Sequence, residues 1–239
     1  MMRVLVVGEG LHDIGRQNEW CEQTRKLINL PGWLQTLLHK MNEFGQAIEI
    51  TSINTKEIVL SGQERRKRQP LPEGHGAKAM AAKLKAKNEN FDVVVFMADS
   101  DTEEDCKWRC HHKCVQEGFG KIPEGPAGVV CLPKSASESW LLADPEAWKA
   151  MGLSCTKMLP SHPETIWGKH DDPEGNRPHP YFARVCKAAN RTDTRETRVE
   201  LMEKISIPRL AKACPLSFAS FWNELHAAGI APSPPDRRP

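Results

Sequence analysis

The sequence predicts an α/β fold, with a mostly parallel, Rossmann-like sheet flanked by helices and followed by a helical C-terminal region. Residues 4–7 and 93–97 form short apolar, mostly β-branched runs, which are typical of strands buried on both faces of a parallel sheet. Strand-like and helix-like segments alternate through the first half of the chain, whereas residues from 136 onward show no strand pattern. This alternation favours parallel strands joined by right-handed crossovers.

The elements of the first half follow in order. After the strand at residues 4–7, residues 11–17 predict a loop, and a helical region divided by Pro31 follows, because proline is tolerated at a helix start but not in its interior. Further predictions are a strand at 47–53, an exposed polar loop at 61–76 and a helix at 76–88.

The remaining elements complete the predicted organisation. The strand that ends at Asp99 precedes a helix at 103–116 and a fourth strand at 128–132, and later helices are expected at 137–143, 145–151, 181–189, 195–205 and 217–228. We therefore divide the chain into an α/β domain (1–150), a helical region (151–230) and a proline-rich flexible tail (231–239).

Composition excludes several classes of protein. The 239 residues carry a net charge of only +2, so the chain is not a general polycation. No apolar stretch is long enough to span a membrane, and we expect no signal peptide, because the apolar run after Arg3 stops at Gly8. Eight cysteines without a secretory signal indicate reduced thiols, and we expect a cytoplasmic protein without a membrane partner.

Basic residues are concentrated on either side of an acidic centre. Residues 56–90 carry nine Lys/Arg against four Glu, whereas residues 99–124 carry seven acids against four bases. This distribution fits a metal site beside a phosphate-contacting surface, although solvated helix faces give similar counts. The densest candidates for contacts with nucleic acid are Arg65, Arg66, Lys67 and Arg68.

Carboxylates follow two of the predicted strands directly. Glu9 comes after the first strand, and Asp99 and Asp101 come after the third. Because ligands collect at the carboxyl ends of parallel strands, these three side chains should converge, and they suit Mg²⁺ or Mn²⁺. Asp13 is a further candidate ligand. A dinucleotide fingerprint starting at Gly8 is disfavoured, because Asp13 stands where its third glycine belongs and the charge of Glu9 would face the pyrophosphate.

These residues also carry a resemblance to a known family. Glu9-Gly10 and Asp99-Ser100-Asp101 resemble the Toprim domain of topoisomerases, primases and overcoming-lysogenization-defect nucleases. Ser137-Glu138-Ser139-Trp140-Leu141-Leu142-Ala143-Asp144 resembles a signature of an uncharacterised Toprim-like family. Members of that family are often encoded beside ATPases in phage-defence (abortive-infection) operons. The resemblance therefore implies metal-dependent cleavage of nucleic acid and an ATPase partner.

Two further residues have competing interpretations. By resemblance Glu138 holds a second metal ion, but Ser135-Ala136-Ser137-Glu138 also matches a capping box, in which the glutamate folds back on the helix start. Lys134 follows the fourth strand and would steady phosphate charge in a transition state; the alternative is an ordinary solvated lysine.

A cluster of cysteines and histidines suggests a different metal. Cys106, Cys110 and Cys114 recur every four residues, so they share one face of the predicted helix, close to His111. Such a set can bind Zn²⁺, although the spacing differs from that of common zinc modules. The alternative is that these are ordinary buried core cysteines.

The function expected from these observations is that of a Mg²⁺-dependent nuclease that cleaves DNA or RNA. Asp99 and Asp101 would hold the metal, and Glu9 would ligate it or act as general base. The alternative is a non-catalytic Toprim-like subunit that docks on an ATPase and regulates it. Such a docking face would be marked by exposed tryptophans among Trp140, Trp148, Trp167 and Trp222, although most tryptophans at helical spacing are core residues.

Overall fold

Strands and helices alternate through the first half of the chain and helices follow, as expected. The computed structural model describes residues 1–22, 24–42, 45–67, 69–168, 172 and 174–234, without the side chains of residues 18, 65 and 67. The strands are β1 (Met2–Gly8), β2 (Arg16–Cys21), β3 (Lys26–Leu30), β4 (Ile48–Asn54), β5 (Val93–Met97) and β6 (Ala127–Cys131).

The helices comprise one group that connects the strands and a second group that follows the last strand. The first group is α1 (Leu11–Ile14), α2 (Trp33–Met41), α3 (Gly62–Lys67), α4 (Gly74–Asn88) and α5 (Asp105–Gly120). The second group is α6 (Glu138–Leu141), α7 (Pro145–Ala150), α8 (Pro178–Ala188), α9 (Arg195–Lys204), α10 (Ile207–Ala213) and α11 (Ser217–Ala227).

Four parallel strands form the central sheet in the order β4-β1-β5-β6, which confirms the predicted α/β class. Val7 of β1 lies opposite Phe96 of β5, so the carboxyl ends of these two strands are side by side. Gly8 ends β1 where a side chain does not fit, because a Cβ there would lie 2.7 Å from Ile14 Cγ2. The sheet therefore places the loops after β1 and β5 next to each other.

The segment between β1 and α2 differs from the prediction. Strands β2 and β3 form an antiparallel hairpin where a loop and a helical region were expected. Trp20 and Leu27 lie opposite each other on the hairpin and are 54% and 61% exposed. Because the hairpin buries little apolar surface, its sequence lacks the clear alternation by which strands are recognised.

Three helices were also missed. Helix α1 lies inside the segment predicted as a loop at 11–17. Helix α3 lies inside the segment predicted as an exposed loop at 61–76, and α10 was not predicted at all. Pro208 lies in the first turn of α10, where the backbone N–H has no partner within the helix, so proline is tolerated there and does not interrupt the helix. The other helices predicted after residue 136 are confirmed.

The two faces of the sheet are covered by different parts of the chain. Helices α4 and α5 pack on one face, where Val94 and Phe96 meet Ala79 and Phe119. The opposite face, which includes Val6 and Val95, packs against α2 and the C-terminal helices. The helical C-terminal region therefore shares one hydrophobic core with the sheet.

Large aromatic side chains fill this shared core. Trp140, Trp148 and Trp222 are buried, and Trp140 packs edge-on against Trp33 and Phe218. These three tryptophans therefore do not form the exposed docking face that was considered above. They follow the alternative interpretation, because indole side chains at helical spacing usually serve the core.

Helices α4 and α5 approach each other through glycines. A Cβ at Gly118 would lie 2.1 Å from the carbonyl oxygen of Gly76, so neither helix tolerates a side chain at this contact. The close approach fixes the N-terminal half of α4, which carries His75 and Lys78, beside the sheet.

The end of the described chain is packed in part. Ala231 is buried, and Trp222 Nε1 donates a hydrogen bond to the Pro232 carbonyl at 2.9 Å, so the first residues of the predicted tail contact the core. Residues 235–239 lie outside the described residues. All eight cysteines are free thiols, and no helix in the described ranges has the length and apolarity needed to cross a membrane.

Candidate metal centre at the carboxyl end of the sheet

A cavity of about 120 Å³ lies where β1 and β5 end. Its wall carries the carboxylates that the sequence predicted to converge, together with one histidine that it did not. The lining residues are Glu9, Gly10, Asp13, His75, Met97, Ala98, Asp99 and Asp101. Glu9, Asp13, Asp99 and Asp101 are thus brought together at one edge of the sheet.

Asp99 is the most strongly perturbed of these carboxylates. One of its oxygens accepts a hydrogen bond from the Ser137 backbone N–H at 2.8 Å. Burial raises its pKa well above the ordinary value, and the negative charges of Glu138, Asp13 and Asp101 raise it further. A cation in the cavity would reverse this effect, because an opposite charge favours the ionised carboxylate.

Glu9 and Asp101 lie at the more exposed rim of the cavity, and each has a cationic neighbour. The Glu9 carboxylate pairs with Lys78, and this hydrogen bond lowers its pKa below the ordinary value. The Asp101 side chain is 68% exposed, and one of its oxygens lies 3.6 Å from the Arg177 guanidinium.

The backbone of Asp101 is held in an unusual conformation. Its φ is +48°, in the left-handed region that residues other than glycine rarely adopt, although aspartate adopts it more often than most. Its N–H donates to the Ser135 carbonyl at 3.0 Å, which ties the loop after β5 to the loop after β6. Residues in such conformations are often found at functional sites.

Arg198 neutralises the inner side of the acidic cluster. Its guanidinium is buried and lies 3.2 Å from Asp13, 2.7 Å from Glu138 and 2.7 Å from Asp193. It also lies over the Phe182 ring, 5.1 Å from the centroid. Three carboxylates from separate parts of the chain thus share one cation from α9.

The pKa values of these carboxyl groups reflect both burial and pairing. Burial raises the pKa of Asp13, and the charge of Arg198 and a hydrogen bond from the Trp33 indole offset this only in part. Burial would also raise the pKa of Glu138, but the hydrogen bond with His179 and the charge of Arg198 outweigh burial and lower this pKa to about 2. Glu138 is therefore ionised at neutral pH.

The orientation of Glu138 excludes the capping-box interpretation. A capping box requires the Ser135 backbone N–H to donate to this carboxylate, but that N–H donates to the Thr102 carbonyl at 3.0 Å. The carboxylate instead contacts Arg198 and His179. One ligand atom each from Glu138, His179 and Asp193 lie within 4.8 Å of one another, a spacing that could hold a metal ion; no other such set occurs in the described part of the chain. Arg198 contacts Glu138 and also Asp13, so this pair of acids already has a cation.

Lys134 is not the solvated lysine of the alternative interpretation. Its side chain is buried, and its ammonium group pairs with Asp105 in the first turn of α5. This ion pair joins the loop after β6 to α5. A role for Lys134 in steadying phosphate charge stays a prediction.

The predicted zinc ligands do not form a three-ligand set in the described part of the chain. Cys106 and Cys110 are exposed, so the alternative of buried core cysteines is wrong for these two. Cys114 Sγ donates to the Glu73 carbonyl at 3.3 Å, and His111 Nδ1 lies 3.1 Å from the Ser100 carbonyl. Within the described residues, no three of these side chains are placed together as ligands.

The basic run proposed for nucleic-acid contacts is only partly described. Arg66 is exposed on α3. Arg68 and the side chains of Arg65 and Lys67 lie outside the described structure, so the role of this run stays a prediction.

Sequence reasoning missed the cations that surround the carboxylates. Lys78 and His75 lie at the start of α4, Arg177 directly precedes α8, and Arg198 lies within α9. Arg198 is 185 residues from Asp13 along the chain, and no motif connects the two. The one sequence signal that includes Arg177 and Arg198 is a basic surplus at 177–239, where eleven Lys/Arg stand against six acids.

The donor set of the cavity is built from carboxylate oxygens, which fits a hard divalent cation such as Mg²⁺ or Mn²⁺ better than a thiolate-preferring one. No curated protein and no solved structure matches the chain. A family model described as "Domain of unknown function (DUF4276)" matches residues 27–226, a span that includes Asp99, Asp101, Glu138 and Arg198. The chain therefore belongs to the DUF4276 family.

Proposed function

We propose that this protein is a divalent-metal-dependent phosphodiesterase that cleaves nucleic acid. The observation that carries the proposal is the environment of Asp99, a carboxylate enclosed among three others at the end of the sheet, with a pKa well above its ordinary value. Such a cluster is unfavourable without a cation, and hydrolysis of phosphodiesters is a reaction that bound Mg²⁺ or Mn²⁺ supports.

The metal position follows from what each carboxylate contacts. Asp13 and Glu138 share Arg198, whereas Asp99 faces the cavity without a cationic side chain among its described contacts. Glu9 and Asp101 lie at the rim and pair with the partly exposed cationic side chains of Lys78 and Arg177. Asp99, Asp101 and Glu9 are therefore the proposed ligands, which agrees with the resemblance to the Toprim domain.

The bound metal would polarise the scissile phosphate and lower the pKa of a coordinated water. Lys78 and Arg177, released from their carboxylates, bind the phosphate oxygens. His75 lines the same cavity, and burial together with the charge of Lys78 lowers its pKa, so it is neutral at neutral pH. Its Nδ1 has no hydrogen-bond partner within the described chain, and a neutral imidazole can accept a proton from water.

Asp99→Asn tests the proposal directly. Single-stranded DNA, plasmid DNA and RNA are incubated with Mg²⁺ or Mn²⁺, and the variant should lose cleavage because an amide is a poor ligand for these cations. Glu117→Gln is the matched control, since Glu117 is an exposed acid on α5 that pairs only with Lys113 among the described contacts. Cleavage by Asp99→Asn at the wild-type rate, or undiminished cleavage in EDTA, would contradict the assignment.

The ATPase partner and the role in phage defence are proposals that rest on the resemblance to the Toprim-like family alone. The non-catalytic alternative has less support than catalysis. Its expected marker was exposed tryptophan, but three of the four candidates, Trp140, Trp148 and Trp222, are buried, and Trp167 is partly exposed. A structural acidic cluster would also need no open cavity beside Asp99.

A further inference from the structure

Trp167 and Arg177 form an aromatic and cationic pair at the rim of the proposed metal centre. The Arg177 guanidinium carbon lies 5.6 Å from the centroid of the Trp167 ring. The same guanidinium lies 3.6 Å from Asp101. A single side chain therefore connects a partly exposed indole to a proposed metal ligand.

The backbone holds this pair in place. A Cβ at Gly168 would lie 2.8 Å from the backbone nitrogen of Arg177 and 3.0 Å from that of Asn176, so the segment that carries Trp167 packs directly against the one that carries Arg177. The buried Pro178 starts α8 immediately after Arg177. The position of the indole is thus set by two packed segments.

The pair has the chemistry of a platform for an unpaired base. Aromatic rings bind single-stranded nucleic acid by stacking on bases, and arginine binds the adjoining phosphate. In a duplex the bases stack on one another, so their faces are not available to an indole. The cavity beside Asp101 is small, which suits one phosphate of a flexible strand.

From these contacts, and resting on the function proposed above, we infer that the substrate is a single-stranded nucleic acid. An unpaired base stacks on Trp167, and Arg177 leaves Asp101 to bind the phosphate that enters the metal centre. Arg177 therefore links substrate entry to metal binding, because Asp101 becomes free to ligate the metal when the guanidinium turns to the phosphate.

The experiment measures the binding of short fluorescent single-stranded DNA, single-stranded RNA and duplex DNA by anisotropy in EDTA, where cleavage does not interfere. Trp167→Leu, which removes the ring but keeps much of its volume, should weaken single-strand binding roughly tenfold. Trp167→Phe keeps a stacking surface and should stay close to the wild type. Trp20→Ala is the matched control, since it removes an exposed tryptophan of the β2–β3 hairpin.

The outcomes separate this inference from the proposed function. Selective loss of single-strand binding in Trp167→Leu, with recovery in Trp167→Phe, supports the inference, and the DNA and RNA arms identify the strand. Equal losses for single strands and duplex, no loss in Trp167→Leu, or no binding of single strands by the wild type would overturn it. Failure of the proposed function appears in a different measurement, as cleavage that is unaffected by Asp99→Asn.

Discussion

Replacing Arg198 with methionine should destabilise the protein strongly. Methionine retains most of the aliphatic stem but removes the buried guanidinium that Asp13, Glu138 and Asp193 share. The variant leaves these carboxylates in the same place without a cation. Breaking a buried ion pair from one side is costly, because the remaining charge is neither solvated nor paired.

The expected loss is about 3–5 kcal/mol of unfolding free energy at neutral pH, the usual cost of leaving buried charges unpaired. The pKa of Glu138 gives an independent scale. Its decrease from 4.5 to about 2 corresponds to about 3 kcal/mol of stabilisation, to which His179 and Arg198 both contribute. The two figures describe overlapping interactions and are not added.

The loss should also depend on pH in a defined direction. In the wild type the Glu138 contribution is complete above pH 4.5, and it disappears as the pH falls toward 2. In Arg198→Met the carboxyl groups repel one another, so their pKa values rise and the folded state takes up protons. The difference in stability between the two proteins should therefore shrink as the pH is lowered from 7 toward 4.5.

Urea denaturation of both proteins across this pH range measures the effect. Arg191→Met is the matched control: Arg191 also pairs with a carboxylate, Glu200, but at the surface, where such pairs contribute at most about 1 kcal/mol. A loss below about 1 kcal/mol in Arg198→Met, or a loss that is constant with pH, would refute the argument that Arg198 compensates the acidic cluster.

Two further predictions concern stability at and near the site. Asp99→Asn should raise the Tm in metal-free buffer at neutral pH. The amide oxygen still accepts the hydrogen bond from the Ser137 N–H, whereas the repulsion from Glu138 and Asp13 is lost. Addition of Mg²⁺ should then raise the Tm of the wild type only. A lower Tm for the variant in scanning fluorimetry would contradict this. Gly118→Ala should cost about 1–3 kcal/mol in urea denaturation because its Cβ meets the Gly76 carbonyl. Gly120→Ala on the same helix meets open space and should change stability by less than about 1 kcal/mol, and equal effects of the two would argue against the close contact.

The sheet and its acidic edge were predictable because they depend on local patterns. Buried parallel strands such as β1 and β5 read as continuous apolar runs, and the parallel arrangement fixes where their carboxyl ends lie. The convergence of Glu9, Asp99 and Asp101 around one cavity follows from those two facts. The β2–β3 hairpin was missed because Trp20 and Leu27 are exposed, so its strands carry no alternation imposed by a core.

The cations of the site were not predictable for a different reason. Arg198 lies on α9 among other charged residues, and in the sequence it resembles any solvated arginine. Its burial depends on how α9 packs beside α2 and α1, a contact between residues far apart in the chain. The same applies to Arg177. Its proposed role depends on its contacts with Asp101 and Trp167, which its neighbours in sequence do not indicate.

The position of Arg198 along the chain also sets the order in which the site is assembled during synthesis. Asp13 leaves the ribosome first and Glu138 much later, but the guanidinium that they share follows only after a further 60 residues. Until then Asp13 and Glu138 lack the buried counter-charge that they share, and one face of the sheet is covered by α2 but not by all of its C-terminal helices. The nascent protein therefore completes its acidic centre late, when α9 docks, and completes its core later still, when α10 and α11 follow.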